Sequence, residues 1–336
     1  MTDHGHHEDG DEGSADGGAA FTAQDAGTGP ITTEARTAPG VVGDASASAS
    51  ASGVQLLGAA EIRELAASLD LTPTKKLGQN FVHDANTVRR IATTAGVRPG
   101  EHVVEVGPGL GSLTFALLEA GASVTAIEID PRLAELLPRT RERLAPDASL
   151  TVVNEDALRV EGVDGDPVAL VANLPYNVSV PVLLHLLERV PSLERGVVMV
   201  QAEVGERLAA RPGSKVYGSP SVKAAWYGDW STAGLVGRKV FWPVPNVDSI
   251  LVAFRKRETP LGSEELRAQV FAIVDAAFGQ RRKMLRQALS GLYGGSQEAS
   301  AALEAAGIDP TARGEAVGID AFVELARVAP PGGAVR

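Results

Sequence analysis

Cysteine is missing from all 336 residues, which removes disulfides, cysteine-ligated zinc and a thiol nucleophile together. Aromatic residues make up only 4% of the chain, so any ring beside a motif carries weight. No apolar run approaches the roughly 20 residues that span a bilayer. The first residues lack the basic start and apolar centre of a secretory signal. A cytoplasmic location with no membrane partner is the expectation. What is present is globular: 44% of residues are hydrophobic, and the length allows two domains or one large domain with an appendage.

The net charge of −11 argues against a nucleic-acid partner until it is divided by region. Residues 1–53 hold nine acids against one base, a net −8. Residues 195–287 hold 15 Lys/Arg against 8 Asp/Glu, a surplus of +7. The acidity is mostly a tail, and a basic face of this kind is what phosphate backbones select. Residues 1–54, rich in Gly, Ala, Ser, Thr and Asp, cannot bury a core and are expected to be a disordered low-complexity tail. His4, His6 and His7 lie in it; a solvated tail is the plain reading, and no metal site is assigned.

From about Gln55 the pattern changes. Helix periodicity is expected over 61–69, and again after the loop KKLGQNF (75–81) to about Ala95. HVVEVG (102–107), SVTAIEI (123–129), LTVVNED (150–156), VALVAN (168–173) and VVMVQA (197–202) are short apolar strands. They alternate with helical or loop segments, including 112–120 and 131–144, as in an α/β fold with a parallel sheet covered on both faces. The run 239–256 predicts late strands forming a hairpin, and helices are expected over 264–278, 281–292, 297–306 and 318–327. The expected organisation is a Rossmann-like domain over 55–259 followed by a small helical domain over 260–336.

GPGLG (107–111) follows a strand and opens a helix, with Glu128 ending the next strand 21 residues after Gly107. A carboxylate at that spacing can accept from both ribose hydroxyls. A dinucleotide fingerprint would place its third glycine at 112, which is Ser112. G-x-G-x-G suits a nucleoside ligand without a pyrophosphate, and S-adenosylmethionine is one. Asp156, just after the third strand, could accept from an adenine amine; alone, it reads as a strand-end turn residue.

The fourth strand ends in Asn173-Leu174-Pro175-Tyr176 and should lie beside the first, facing that donor. An exocyclic adenine amine is a poor nucleophile because its lone pair is delocalised. Two acceptors, the Asn173 side-chain oxygen and the Leu174 carbonyl, would stabilise its growing positive charge without a strong base. Pro175 restricts the backbone, and Tyr176 offers a face to an unstacked base. The competing reading is a strand-end turn with a half-buried tyrosine.

Six motifs in order carry a resemblance: LGQNF (77–81), EVGPGLGSLT (105–114), NLPYNVS (173–179), KVYGSPSV (215–222), FWPVPNVDS (241–249) and FGQRRKMLRQAL (278–289). From about 70 to 290 the chain resembles the ribosomal RNA adenine N6-dimethyltransferase family in its housekeeping small-subunit (16S) form. The resemblance implies a Rossmann-like S-adenosylmethionine-dependent methyltransferase sheet with a small C-terminal helical domain. It implies donor contacts from Asn80, Val82, Gly107, Glu128, Asp156 and Asn173, and makes Phe241 a candidate for the target ring's second face. Read from the residues alone, Phe241 is an apolar residue before a proline-rich bend, with core packing as the competitor. Val82 stands where leucine is commoner, and Trp242 is unusual within its motif.

Arg281, Arg282, Lys283 and Arg286 fall on one to two turns of the expected helix 281–292. A solvated helix face is the ordinary fate of such a run; with the regional surplus and the resemblance, phosphate contact is the stronger reading. The implied activity is methyl transfer to N6 of two adjacent adenosines in a 3′-terminal hairpin of small-subunit rRNA, by a monomer working on a ribosomal subunit precursor. Two rivals are a large-subunit adenine dimethylase conferring antibiotic resistance and a non-catalytic assembly factor on the same fold. A small-molecule or DNA methyltransferase fits only the first 200 residues or so.

Overall fold

The structure is a computed structural model that describes residues 53–71 and 80–329. The expectations for residues 1–52, and for most of the LGQNF motif, lie outside the described residues. Helix α1 (Ala59–Ser68) precedes a two-residue strand, β1 (Phe81–Val82). Helix α2 (Ala85–Thr94) starts where Asp84 caps it, accepting from the Thr87 amide at 2.7 Å. Strands and helices then alternate: β2 (His102–Val106), α3 (Ser112–Glu119), β3 (Ser123–Glu128), α4 (Pro131–Leu144), β4 (Leu150–Asn154). Proline at the first position of α4 loses no helical hydrogen bond, and the Asp130 carboxylate accepts from the Arg132 amide at 3.0 Å. No helix intervenes before β5 (Ala169–Asn173), which is followed by α5 (Ser179–Arg189), β6 (Arg195–Gln201), α6 (Ala202–Leu208) and α7 (Ser219–Tyr227).

Three late strands complete the sheets: β7 (Gly228–Val236), β8 (Phe241–Trp242) and β9 (Ser249–Lys256). The main sheet has the order β4-β3-β2-β5-β6-β9-β7. Its first five strands are parallel, and β9 runs antiparallel to both neighbours. As expected, β5 lies beside β2. The expected hairpin over 239–256 does not form. β9 enters the sheet between β6 and β7, whereas β8 pairs antiparallel with β1, Val82 opposite Phe241. Sequence reading missed β7, whose burial alternates irregularly because it is an edge strand with a register shift between Thr232 and Leu235.

Strand periodicity sorts the core by residue parity. Val103, Ala169, Val171, Val197, Met199 and Leu251 face one cluster with α1–α4. Val104, Leu170, Ala172, Val198, Val200 and Val252 face the other with α5–α7. The second cluster continues into α8 (Glu264–Gly279), α9 (Leu285–Ala288), α10 (Ser290–Tyr293), α11 (Ser296–Ala305) and α12 (Ile319–Val328). Among the described residues no helix is long and apolar enough to cross a membrane.

Candidate active site

Ligands of open α/β sheets bind at the carboxyl ends of the strands. There, the loops after β2, β3, β4 and β5 enclose one cleft together with Asn80, Phe81 and Val82 from the β1 segment. Asn80, Val82, Gly107, Glu128, Asp156 and Asn173 all line it, so the structure brings together the six residues expected to hold the donor. Gly109 has φ +57°, and a Cβ there would meet the Phe81 ring at 2.8 Å. Gly111 has φ +99°, and a Cβ would meet Leu137 Cδ1 at 2.7 Å. Only glycine allows both the turn and the approach of neighbouring side chains.

Glu128 ends β3 as a buried residue, 5% exposed. Its two oxygens accept from the Gly109 amide at 3.0 Å and the Asp130 amide at 2.9 Å. Burial raises its pKa, and those amides oppose the rise. Each oxygen keeps acceptor capacity toward the cleft. Asp156 is half-buried and accepts from the Leu158 amide at 3.0 Å, so its turn role and its place in the cleft coexist.

Two lining residues escaped the sequence reading. Glu105 is 1% exposed, on the parity that faces α3, and its Oε2 accepts from Thr114 Oγ1 at 2.6 Å. Burial pushes its carboxyl up to about 8, with the Glu128 charge adding to the rise. The signal was an acid inside the buried strand HVVEV. Ser112 Oγ, in a residue 8% exposed at the start of α3, is buried without a hydrogen-bond partner among the described residues. An orphaned buried hydroxyl beside a cleft marks capacity for a ligand contact.

Odd parity carries Asn173 toward the β1 side of the sheet, where its Nδ2 donates to the Asn80 carbonyl at 3.1 Å. That anchor fixes which end of the amide is which and leaves Oδ1 as the remaining acceptor. The Leu174 side chain is buried on the opposite face, and its amide donates to the Met199 carbonyl at 3.1 Å. Pro175 lines the cleft. Tyr176 is half-buried outside that lining, with its hydroxyl 2.8 Å from Ser249 Oγ. Burial raises the phenol pKa, so the ring is neutral at physiological pH.

Two expectations change. Phe241 is 1% exposed in the cluster that holds Val82, so its ring is not offered to a base in this state; core packing is what it does. Its neighbour Trp242 stacks on Phe81, with centroids 6.3 Å apart. The helix expected over 281–292 is broken at its start. Arg281, Arg282 and Lys283 lie in a turn between α8 and α9, and only Arg286 is helical. The Leu285 and Arg286 amides donate to the carbonyls of Ala312 and Pro310, which pulls the chain out of helical register. Arg281 donates to Glu315 at 3.1 Å and to the Lys215 carbonyl at 2.6 Å, while Arg282 and Lys283 are exposed.

A family model described as ribosomal RNA adenine dimethylase matches residues 71–329. The ribosomal RNA small subunit methyltransferase A of Leifsonia xyli subsp. xyli is 67% identical over 275 residues, covering 81% of this chain and 98% of that protein. The protein of the same name from Corynebacterium glutamicum (strain R) is 60% identical over 282 residues, covering 82% and 96%. Among solved structures, the 23S rRNA methyltransferase ErmE aligns with a TM-score of 0.57 and 31% identity over 73% of this chain and 98% of that one. A dimethyladenosine transferase from Plasmodium falciparum aligns with a TM-score of 0.64 at 22% identity, over 74% and 96%, which speaks for the fold. With a sheet, a glycine cradle and an Asn-Leu-Pro-Tyr strand end arranged as described, the chain belongs to the ribosomal RNA adenine dimethylase family.

Proposed function

We propose that this protein is an S-adenosylmethionine-dependent rRNA adenine N6-dimethyltransferase that modifies two adjacent adenosines near the 3′ end of small-subunit rRNA. The observation that carries the reading is the Asn173 amide, anchored at Asn80 with its acceptor end left at the wall of the cleft. The relatives named for small-subunit rRNA share 67% and 60% identity with this chain, against 31% for the large-subunit methyltransferase. That difference favours the small-subunit substrate over the large-subunit rival. The presence of the glycine cradle, Glu128 and Asn173 argues against a factor that has lost its chemistry.

The cleft fits the donor on three counts: a cradle that tolerates no Cβ at two positions, a buried carboxylate with spare acceptor capacity, and the orphaned Ser112 hydroxyl. When bound, S-adenosylmethionine supplies an electrophilic methyl group on a sulfonium. Glu128 would hold the ribose hydroxyls and Asp156 the adenine amine. Asn80, Val82 and the backbone at Gly107 would hold the rest. Asn173 Oδ1 and the Leu174 carbonyl accept from the target N6–H groups, favouring a tetrahedral nitrogen and stabilising its positive charge. The released proton leaves to solvent after transfer, so no strong base is needed. Tyr176 stacks on the extruded base, a contact worth roughly 1–3 kcal/mol. Residues 260–336 act as the RNA-contacting part, with Arg281, Arg282, Lys283 and Arg286 on phosphates; Arg281 also braces the turn that presents its neighbours. The working unit is a cytoplasmic monomer on a subunit precursor.

The test is labelled methyl transfer to a partly assembled small-subunit particle, followed by mapping of dimethyladenosine. Adjacent dimethyladenosines in the particle are expected, with protein-free large-subunit RNA unmodified. Neutralising Arg282, Lys283 and Arg286 should depress that activity and leave donor affinity unchanged. Methylation of the large-subunit RNA with the particle untouched would transfer the assignment to the rival.

A further inference from the structure

Ser249 closes the motif FWPVPNVDS and opens β9, and nothing in the reaction described above uses it. Its side chain is 0% exposed, yet its hydroxyl lies 2.8 Å from the Tyr176 hydroxyl. The strand order explains why this contact crosses the site. Tyr176 follows the end of β5, Ser249 begins β9, and β6 lies between them, with Gln201 opposite Ser249. The phenol therefore reaches across the carboxyl end of β6, held at its far end by a buried side chain. The quartet is also held at Asn173 on Asn80, at the Leu174 amide on the Met199 carbonyl and at the Pro175 carbonyl, which accepts from the Val178 amide. None of these bonds is made by the tyrosine ring.

We infer that Ser249 is a positioning residue for methyl transfer, holding the Tyr176 ring in the attitude that sets the target adenine against the Asn173 acceptor. This rests on Tyr176 as the base-facing ring. A flat stacking surface orients a base only if its own plane is fixed, and a phenyl ring held at the Cβ end alone can tilt. Because Ser249 engages the phenol hydroxyl, the hydroxyl serves the ring's orientation rather than recognition of the RNA. Misplacement of the reacting nitrogen lowers the rate more than the affinity, since stacking area survives a tilt.

The experiment compares single-turnover rates, RNA affinity and donor affinity for Ser249→Ala, Tyr176→Phe, the double variant and Tyr176→Ala. Ser249→Ala and Tyr176→Phe should each slow transfer about 3- to 10-fold with both affinities within about twofold of the parent. The double variant should be no more than about twofold slower than the slower single, because both remove the same hydrogen bond. Multiplying effects, or a parental rate in Ser249→Ala, would overturn the inference. If Ser249→Ala fails to fold, Tyr176→Phe decides alone, since it leaves β9 untouched: a slowed rate with parental RNA affinity supports the inference, and a parental rate or a loss mainly of RNA affinity overturns it. Tyr176→Ala separates the two levels. A parental rate there would sink the stacking reading itself, whereas a large loss beside a normal Ser249→Ala would sink only the role of Ser249.

Discussion

Replacing Asn173 by alanine removes two things that the structure keeps apart. The first is the Nδ2 donor to the Asn80 carbonyl at 3.1 Å. Its loss removes one part-buried hydrogen bond and costs about 1 kcal/mol of stability. The second is Oδ1, one of two acceptors for the target amine. Deleting one preorganised group that stabilises transition-state charge typically costs about 10²–10³ in rate, or roughly 2.7–4 kcal/mol. The catalytic loss should therefore exceed the stability loss about threefold on the energy scale. The assay is single-turnover transfer with RNA and donor both saturating, saturation being checked by calorimetry because Asn173 also borders the donor cleft. Asn173→Asp sharpens the test, since it keeps an acceptor oxygen and loses the donor, and its rate should fall between the parent and Asn173→Ala. A folded Asn173→Ala variant within about threefold of the parental rate would refute the acceptor role.

Two acidic residues of the cleft, Glu128 and Glu105, give separate tests. Glu128→Ala should weaken S-adenosylmethionine binding by roughly 1.5–3 kcal/mol, from the loss of charge-assisted bonds to the ribose, and unchanged affinity by calorimetry in a folded variant would contradict that. Glu105 has its pKa raised to about 8, so the folded chain keeps a proton that the unfolded chain releases above the ordinary glutamate range. The stability this gives is complete below that range and is lost as pH rises toward 8, with a slope of at most about 1.4 kcal/mol per pH unit. Denaturant melts between about pH 5 and pH 8 should show a steeper decline in the parent than in Glu105→Gln, and equal slopes would count against the buried, protonated acid.

The alternation of short apolar runs with helical ones was enough to place five parallel strands, four of which are buried on both faces and so have little freedom in sequence. The late strands were less legible. β9 is as apolar as a central strand, since it is one, but nothing local says that its neighbours are β6 and β7 rather than β8. β8 is two residues long, and its partner β1 lies some 160 positions away, a pairing that no periodicity can carry. The basic run 280–286 failed for a different reason. Its composition favours a helix, but hydrogen bonds from Leu285 and Arg286 to the 310–312 segment override that local preference.

At the site, sequence spacing located the groups that a ligand touches, whereas parity and long-range hydrogen bonds decide how they are held. Glu128 and Asn173 were found because each ends a strand at the edge where loops converge. Their states were not visible: the two amides on Glu128 come from different loops, and the anchor of Asn173 comes from a segment 93 positions earlier. Phe241 shows the limit of carrying a role over from a motif alone. Pairing with Val82 turns its ring into the core and gives the outer side of the β1–β8 ribbon to Trp242, which stacks on Phe81 above Gly109. That ribbon ties the donor cleft to the segment leading into Ser249, and Ser249 in turn meets Tyr176. The ribbon that shapes the donor cleft is thus continuous in the chain with the serine that braces the ring beside it, so a substitution in β1 or β8 should disturb both donor binding and the methyl-transfer rate, whereas a change confined to Ser249 should spare the donor.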